Sequence, residues 1–94
     1  MEIHWLDRAM DELNAIHDFI AADNPTAAHL TSQKIDAAVD LLAEQPSLGR
    51  PGRVPQTREL VVPGTPYLVA YSVVVDVITI LSVQHGARRW PDSF

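Results

Sequence analysis

The chain has 94 residues, of which 47% are hydrophobic, and it carries a formal net charge of -5 without a single cysteine. This length and composition predict one compact domain over residues 1–94, and the lack of cysteine excludes a disulfide framework or a thiolate metal site. No apolar run follows a basic start and no stretch of about 18 apolar residues occurs, so we expect a cytoplasmic protein that is neither secreted nor inserted in a membrane.

Charge is divided unevenly along the chain. Residues 1–45 hold nine acidic side chains against Arg8 and Lys34, whereas the remainder holds five arginines against three acids. A protein that binds a long duplex needs a broad cationic face, because each neutralised phosphate adds to the affinity. The sequence supplies no such face, so direct nucleic-acid binding by the chain alone is not expected.

The first predicted helix covers residues 7–22. Asp7 is its expected N-cap, and the sequence "ADNP" is expected to end it. Apolar residues recur along it at spacings of three and four, which predicts one buried stripe. The stripe consists of Leu6, Met10, Leu13, Ile16 and Ile20.

The second predicted helix covers residues 25–44, with Asn24 as N-cap, Pro25 in the first turn and Pro46 preventing its continuation. The two-residue link between the helices predicts an antiparallel helical hairpin. Small side chains on the inner faces allow the helices to approach closely. They are Ala9, Ala27, Ala28 and Ala38.

Strands are predicted around and after the hairpin. The segment "PSLGRPGRVPQT" is rich in proline and glycine and is expected to be a loop from which Arg50 and Arg53 project. Then "RELVV", "YLVAYSVVV" and "VITILSV" predict three antiparallel strands, and "EIHW" predicts a fourth at one sheet edge. The fold class is therefore α+β, in the order β-α-α-β-β-β, with the helical hairpin packed over one face of the sheet.

Known cofactor chemistry is not expected. The sequence contains no phosphate-binding loop, dinucleotide fingerprint or serine-nucleophile motif, and its four histidines do not have the spacing of metal ligands. His85 is the histidine whose context differs, since it follows a predicted strand directly and stands before Gly86. It is either an acid or base, or a residue that satisfies a turn while Trp90 covers apolar surface.

Arginines near the C-terminus are the strongest candidates for partner contacts. A guanidinium offers a planar fork of donors suited to phosphate or carboxylate, although Arg88 and Arg89 could instead pair with acids of the chain itself. Arg58 begins a predicted strand, so Arg58, His85 and Arg88 are hypothesised to converge on one surface. Tyr67 and Tyr71 should share a face of their strand, and we favour core packing for Tyr71.

Taken together, these stretches resemble the RelE/ParE superfamily of bacterial toxin–antitoxin pairs. The resemblance covers nearly the whole chain and rests on "WLDRAMDELNAIHDFIAADNPTAA", "PSLGRPGRVPQTREL", "TPYLVAYSV" and "ITILSVQHGARRWP". One branch of the superfamily resembles ribosome-dependent mRNA endonucleases, and the ParE branch resembles poisons of DNA gyrase that perform no chemistry. The resemblance implies no cofactor.

The forms "TPYLVAY" and "HGARRWP" are similar to the ParE, or plasmid-stabilisation, branch, which implies a gyrase-directed toxin without catalytic residues. Leu68 stands where the RelE nucleases tend to carry arginine, which counts against RNA cleavage. If the chain is a nuclease after all, Arg58, His85 and Arg88 are its candidate catalytic residues. Ser72 and Ser82 replace arginines common in the family, which leaves an inactive or regulatory antitoxin-binding module as a third hypothesis.

The resemblance also implies a cognate antitoxin as partner and DNA gyrase as target. A sheet edge could accept a strand, or a groove between the helical hairpin and the sheet could accept a helix and its apolar side chains. The residues expected to contact a partner are Arg58, His85, Arg88, Arg89 and Trp90.

Overall fold

A computed structural model of the chain describes residues 1–87 and Phe94, and it has the expected α+β architecture. Its elements, in chain order, are β1 (Glu2–Trp5), α1 (Asp7–Ala21), α2 (Pro25–Leu41), β2 (Arg50–Pro51), β3 (Arg58–Val61), β4 (Tyr67–Val74) and β5 (Val77–His85). The strands form one sheet in the order β1-β5-β4-β3-β2. The strand β1 pairs in parallel with β5, and all other neighbours are antiparallel.

The N-terminal strand lies at a sheet edge, as predicted, but the opposite edge carries an additional strand. This strand, β2, has two residues and pairs with the start of β3. It falls in the segment expected to be a loop, because a two-residue strand that contains Pro51 lacks the alternating pattern of a longer one. Proline is tolerated there because β2 is an edge strand.

Both helices are confirmed, with differences at their ends. The backbone of Leu6 occupies the N-cap position of α1 without a side-chain cap, so Asp7 is the first helical residue and not the cap. In α2 the Asn24 side chain accepts a hydrogen bond from the Ala27 N–H at 3.0 Å, as predicted. No helix within the described residues is long and apolar enough to cross a membrane.

The end of α2 comes three residues earlier than predicted. After Leu41 the backbone N–H groups of residues 42–44 bond three residues back instead of four, which tightens the last turn. Pro46 then removes any further donor from this run. The segment that follows is therefore free to run back towards the sheet.

The hydrophobic core lies between the helical hairpin and one face of the sheet. It contains Leu13 of α1, Ile35 and Val39 of α2, and the inward-facing residues of β3, β4 and β5. Leu6 and Met10 of the predicted stripe remain exposed, because the face of α1 that reaches the core runs through Ala9, Leu13, Ile16 and Ile20. The burial of Ala9, Ala28 and Ala38 confirms that small residues allow the close approach, whereas Ala27 is half-buried.

A bulge interrupts the pairing of β4 with β5. Tyr71 pairs with Ile80 but Ala70 pairs with Ser82, so Leu81 has no partner in β4. An extra residue reverses the alternation of side chains beyond it, because successive strand residues point to opposite faces. Ile78, Ile80 and Val83 consequently all reach the same core.

Candidate functional site

The structure separates Arg58 from His85. Arg58 pairs with Tyr71 of β4, and His85 pairs with Tyr67, four residues away along the same strand and about 13 Å by the usual strand rise. Because β3 and β5 are both antiparallel to β4, they run in the same direction on either side of it, and Arg58 lies across β4 from Ile80 and not from His85. The hypothesised convergence of Arg58 with His85 is therefore wrong, and Arg88, Arg89 and Trp90 lie outside the described residues.

Arg58 instead holds the loop that leads into β2. Its Nη1 donates to the carbonyl oxygens of Gly49, at 2.7 Å, and of Ser47, at 3.4 Å. Tyr71 reinforces the same loop, since its hydroxyl donates to the Pro46 carbonyl and accepts from the Gly49 N–H, both at 2.8 Å. Burial raises the pKa of Tyr71, and this effect is partly offset by the Gly49 N–H and by the positive charge of Arg58.

Arg50 and Arg53, which were expected to project, converge on the carboxylate of Glu59. The Glu59 side chain is only 2% exposed. Its carboxylate accepts hydrogen bonds from Arg50 Nη2 at 3.3 Å and from the Arg53 backbone N–H at 2.7 Å, and Arg53 Nε lies 3.6 Å away. A buried carboxylate requires such partners, because desolvation of an unpaired charge is costly. The two arginines are only about half exposed, and their charged ends serve an internal ion pair.

An apolar groove of about 540 Å³ runs between α2 and the edge formed by β2 and β3. Its walls include Leu41, Leu48 and Val61, which are 45–50% exposed despite their size. Lys34, the one lysine of the sequence, also lines the groove, together with the ion-paired Arg50 and Glu59. A groove between hairpin and sheet, as expected for the apolar side chains of a partner, is therefore present.

A second polar cluster joins α1 to the end of β5, beyond the last residue that β1 covers. Glu12 Oε1 accepts from Ser82 Oγ at 2.7 Å and from the Val83 N–H at 3.3 Å, and Oε2 accepts from Gln84 Nε2 at 3.0 Å. Ser82 and Gln84 are buried. Sequence reasoning missed Glu12, because the bulge at Leu81 decides which β5 side chains meet α1.

His85 is exposed, and its ring is used locally. Nδ1 accepts a hydrogen bond from the Ala87 N–H at 3.1 Å, and the ring meets Tyr67 edge-on, with centroids 5.6 Å apart. This contact corresponds to the alternative in which the imidazole satisfies a turn. Among the described residues no group of three potential ligands that could hold a metal ion is found.

Comparisons with known proteins give a consistent result. The family model described as "ParE toxin of type II toxin-antitoxin system, parDE" matches residues 3–90. The protein named "Putative toxin Y4kP" of Sinorhizobium fredii is 45% identical over 89 residues, which are 95% of this chain and 92% of that protein. "Toxin RelE2" of Caulobacter vibrioides is 34% identical over 87 residues, which are 93% and 97% of the two chains.

A solved structure is also similar. It is described as "Chromosomal ParDE TA system from P. aeruginosa", and it superposes with a TM-score of 0.82 at 28% identity. The match covers 90% of this chain and 95% of the other. The resemblance in sequence therefore extends to the arrangement of helices and strands.

Proposed function

This chain belongs to the ParE family of toxins from type II toxin–antitoxin systems, and from this membership we propose that it poisons DNA gyrase and is neutralised by a cognate antitoxin. The proposal places its action in the cytoplasm, where gyrase works. It assigns the toxin no chemistry of its own. Gyrase supplies the DNA break, and the toxin prevents its resealing.

The observation that carries this proposal is the internal use of the sheet arginines. Transfer of a phosphoryl group in RNA needs cations beside the phosphate and a group that activates the 2'-hydroxyl. Within residues 1–87, the guanidinium groups of Arg50 and Arg53 form ion pairs with Glu59, and that of Arg58 donates to two carbonyl oxygens. His85 lies at the other end of the sheet, so these groups do not form a nuclease constellation.

The test is incubation of the purified, antitoxin-free toxin with DNA gyrase, supercoiled plasmid and ATP, followed by denaturant and protease. We expect linear plasmid that depends on both gyrase and toxin. One control contains gyrase without the toxin, and the other contains the toxin without gyrase. Plasmid that stays supercoiled in every reaction would overturn the gyrase assignment.

A ribosome-dependent mRNA endonuclease is the second candidate, and the similarity to "Toxin RelE2" favours keeping it. The same toxin preparation is therefore added to ribosomes that carry a defined mRNA. Cut mRNA beside intact plasmid would move the chain to the nuclease branch. Absence of both linear plasmid and cut mRNA would favour the inactive or regulatory antitoxin-binding module.

The apolar groove supports the antitoxin part of the proposal. Its exposed leucines and valine match the apolar face of an amphipathic segment, and Lys34 in its lining matches an acidic residue on that segment. Val61→Glu places a carboxylate in the groove and should weaken antitoxin binding at least about tenfold. Val74→Glu is the matched control, because Val74 is equally apolar and 65% exposed but lies outside the groove.

A further inference from the structure

A pocket of about 330 Å³ lies between α1 and the end of β5. One wall is a single face of the helix, on which Ala15, Ile16 and Phe19 follow Glu12 at spacings of three, four and seven residues. Tyr67, Val83 and His85 form the other wall. The volume is at the lower end of the range for small-ligand sites, so it suits one large side chain.

The carboxylate that lines this pocket belongs to Glu12 and is held in a fixed position. Three donors from β5 orient Glu12, and its side chain is still 22% exposed. Arg8 is the one cation within 4 Å of it among the described residues, and its Nε at 3.8 Å is beyond hydrogen-bond distance. Arg8 also lies over the ring of Phe94, 5.2 Å from its centroid. Glu12 therefore keeps acceptor capacity for a second cation.

The walls are suited to the stem of a long cationic side chain. Phe19 is 79% exposed, so its ring is accessible to a ligand in the pocket. Aliphatic methylenes pack against such a ring, and a guanidinium also stacks on aromatic faces. The surplus of acidic residues in the helical half adds an attractive field for a positive charge.

We propose that this pocket binds an arginine side chain of the cognate antitoxin, with the guanidinium on Glu12 and the stem against Ile16 and Phe19. The assignment to the antitoxin rests on the antitoxin part of the proposed function and not on gyrase as the target. The pocket lies beside β5, whereas the apolar groove lies beside β3, so the arginine site is a second and separate contact. The charge at this site is opposite to that of Lys34, which lines the groove.

The pocket is tested first by titrating N-acetylarginine amide into isotope-labelled toxin and following the NMR signals of Phe19 and Ile16. N-acetylcitrulline amide, which has nearly the same shape without the charge, is the comparison ligand. We expect the arginine amide to bind at least about fivefold more tightly than the citrulline amide. Glu12→Gln should abolish that preference, and Asp11→Asn, which removes the same charge one residue away, should leave it intact.

A second variant tests the pocket without changing the buried hydrogen bonds of Glu12. Phe19→Ala alters an exposed side chain, so it should fold normally and still weaken the arginine amide about threefold. Equal binding of the two amides, or a preference that survives Glu12→Gln, would overturn the pocket.

The occupant is tested on the toxin–antitoxin complex. Glu12→Gln should weaken antitoxin binding at least about fivefold while Asp11→Asn does not. If the arginine amide binds through Glu12 but antitoxin affinity is unchanged, the antitoxin is not the occupant and the proposal fails, whereas the groove and the gyrase assignment are unaffected. A negative gyrase assay would likewise not affect the two results on the pocket, which are binding of the arginine amide and the effect of Glu12→Gln on antitoxin affinity.

Discussion

Replacing Tyr71 by phenylalanine removes one oxygen atom from a fully buried side chain and leaves its ring in place. That oxygen makes two hydrogen bonds of 2.8 Å, to the Pro46 carbonyl and to the Gly49 N–H. Each bond contributes about 1 kcal/mol net, and an unsatisfied buried amide adds a desolvation cost, so we expect a loss of about 2–3 kcal/mol. For a domain of this size, that loss lowers the melting temperature by about 10 °C or more.

Urea denaturation measures the loss, and Tyr67→Phe is the matched control. Tyr67 is also buried in β4, but the described structure shows no hydrogen bond from its hydroxyl. The control should cost less than about 0.5 kcal/mol. Amide exchange at Gly49 should accelerate in Tyr71→Phe alone. Equal losses in the two variants would refute the reasoning that the hydroxyl ties the loop to the sheet.

The pKa of Tyr71 gives the same residue a signature in alkaline solution. Burial raises its folded pKa above the unfolded value of about 10. The folded state therefore retains a proton that the unfolded state loses, and stability declines as the pH rises past about 10. The decline should be shallower in Tyr71→Phe, which has no such proton.

Three further substitutions test individual features. Val75 has a positive φ of 54° at the β4–β5 turn, so Val75→Gly should stabilise the fold by about 0.5–1 kcal/mol in urea denaturation, whereas loss of stability would argue against strain there. Burial and the nearby Asp40 raise the pKa of Asp36, so the folded state disfavours the charged form of this side chain. The Asp36→Asn variant should therefore be about 0.3 kcal/mol more stable than the wild type at pH 7. This difference should shrink as the pH is lowered towards 4, where Asp36 becomes protonated. Glu59→Gln keeps the shape but removes the charge between two guanidinium groups; it should cost about 2 kcal/mol or more, and a neutral result would mean that the buried ion pair contributes nothing.

Local rules predict the helical hairpin because caps and periodicity act over a few residues. Asn24 and Pro25 define the start of α2 by their own chemistry, and the predicted start agrees with the structure. The ends are harder, since α1 stops at Ala21 and α2 at Leu41, one and three residues before the predicted positions. At the end of α2 the hydrogen bonds shift to three-residue spacing, whereas α1 ends in a mixture of three- and four-residue spacing, and the sequence carries no signal for the residue at which either helix ends.

Long-range register explains the errors at the candidate site. Knowing that β3, β4 and β5 are successive antiparallel strands is enough to show that β3 and β5 run in the same direction, which separates Arg58 from His85. The contact between Glu12 and Ser82 is of a different kind. It joins residues 70 positions apart and depends on the bulge at Leu81, for which no local pattern exists.

Ser82 illustrates how that contact changes the interpretation of the sequence. The resemblance to the superfamily implies an arginine at this position, so serine on its own suggests a lost cation and an inactive module. In the structure Ser82 is fully buried and donates a hydrogen bond to Glu12, which also accepts a hydrogen bond from Gln84. Ser82 is therefore part of a hydrogen-bonded polar network inside the protein, and its role is not only the absence of a surface cation. The hypothesis of an inactive module therefore draws less support from Ser82 than from Ser72, which is half-buried on β4 and makes no contact with that network within the described residues.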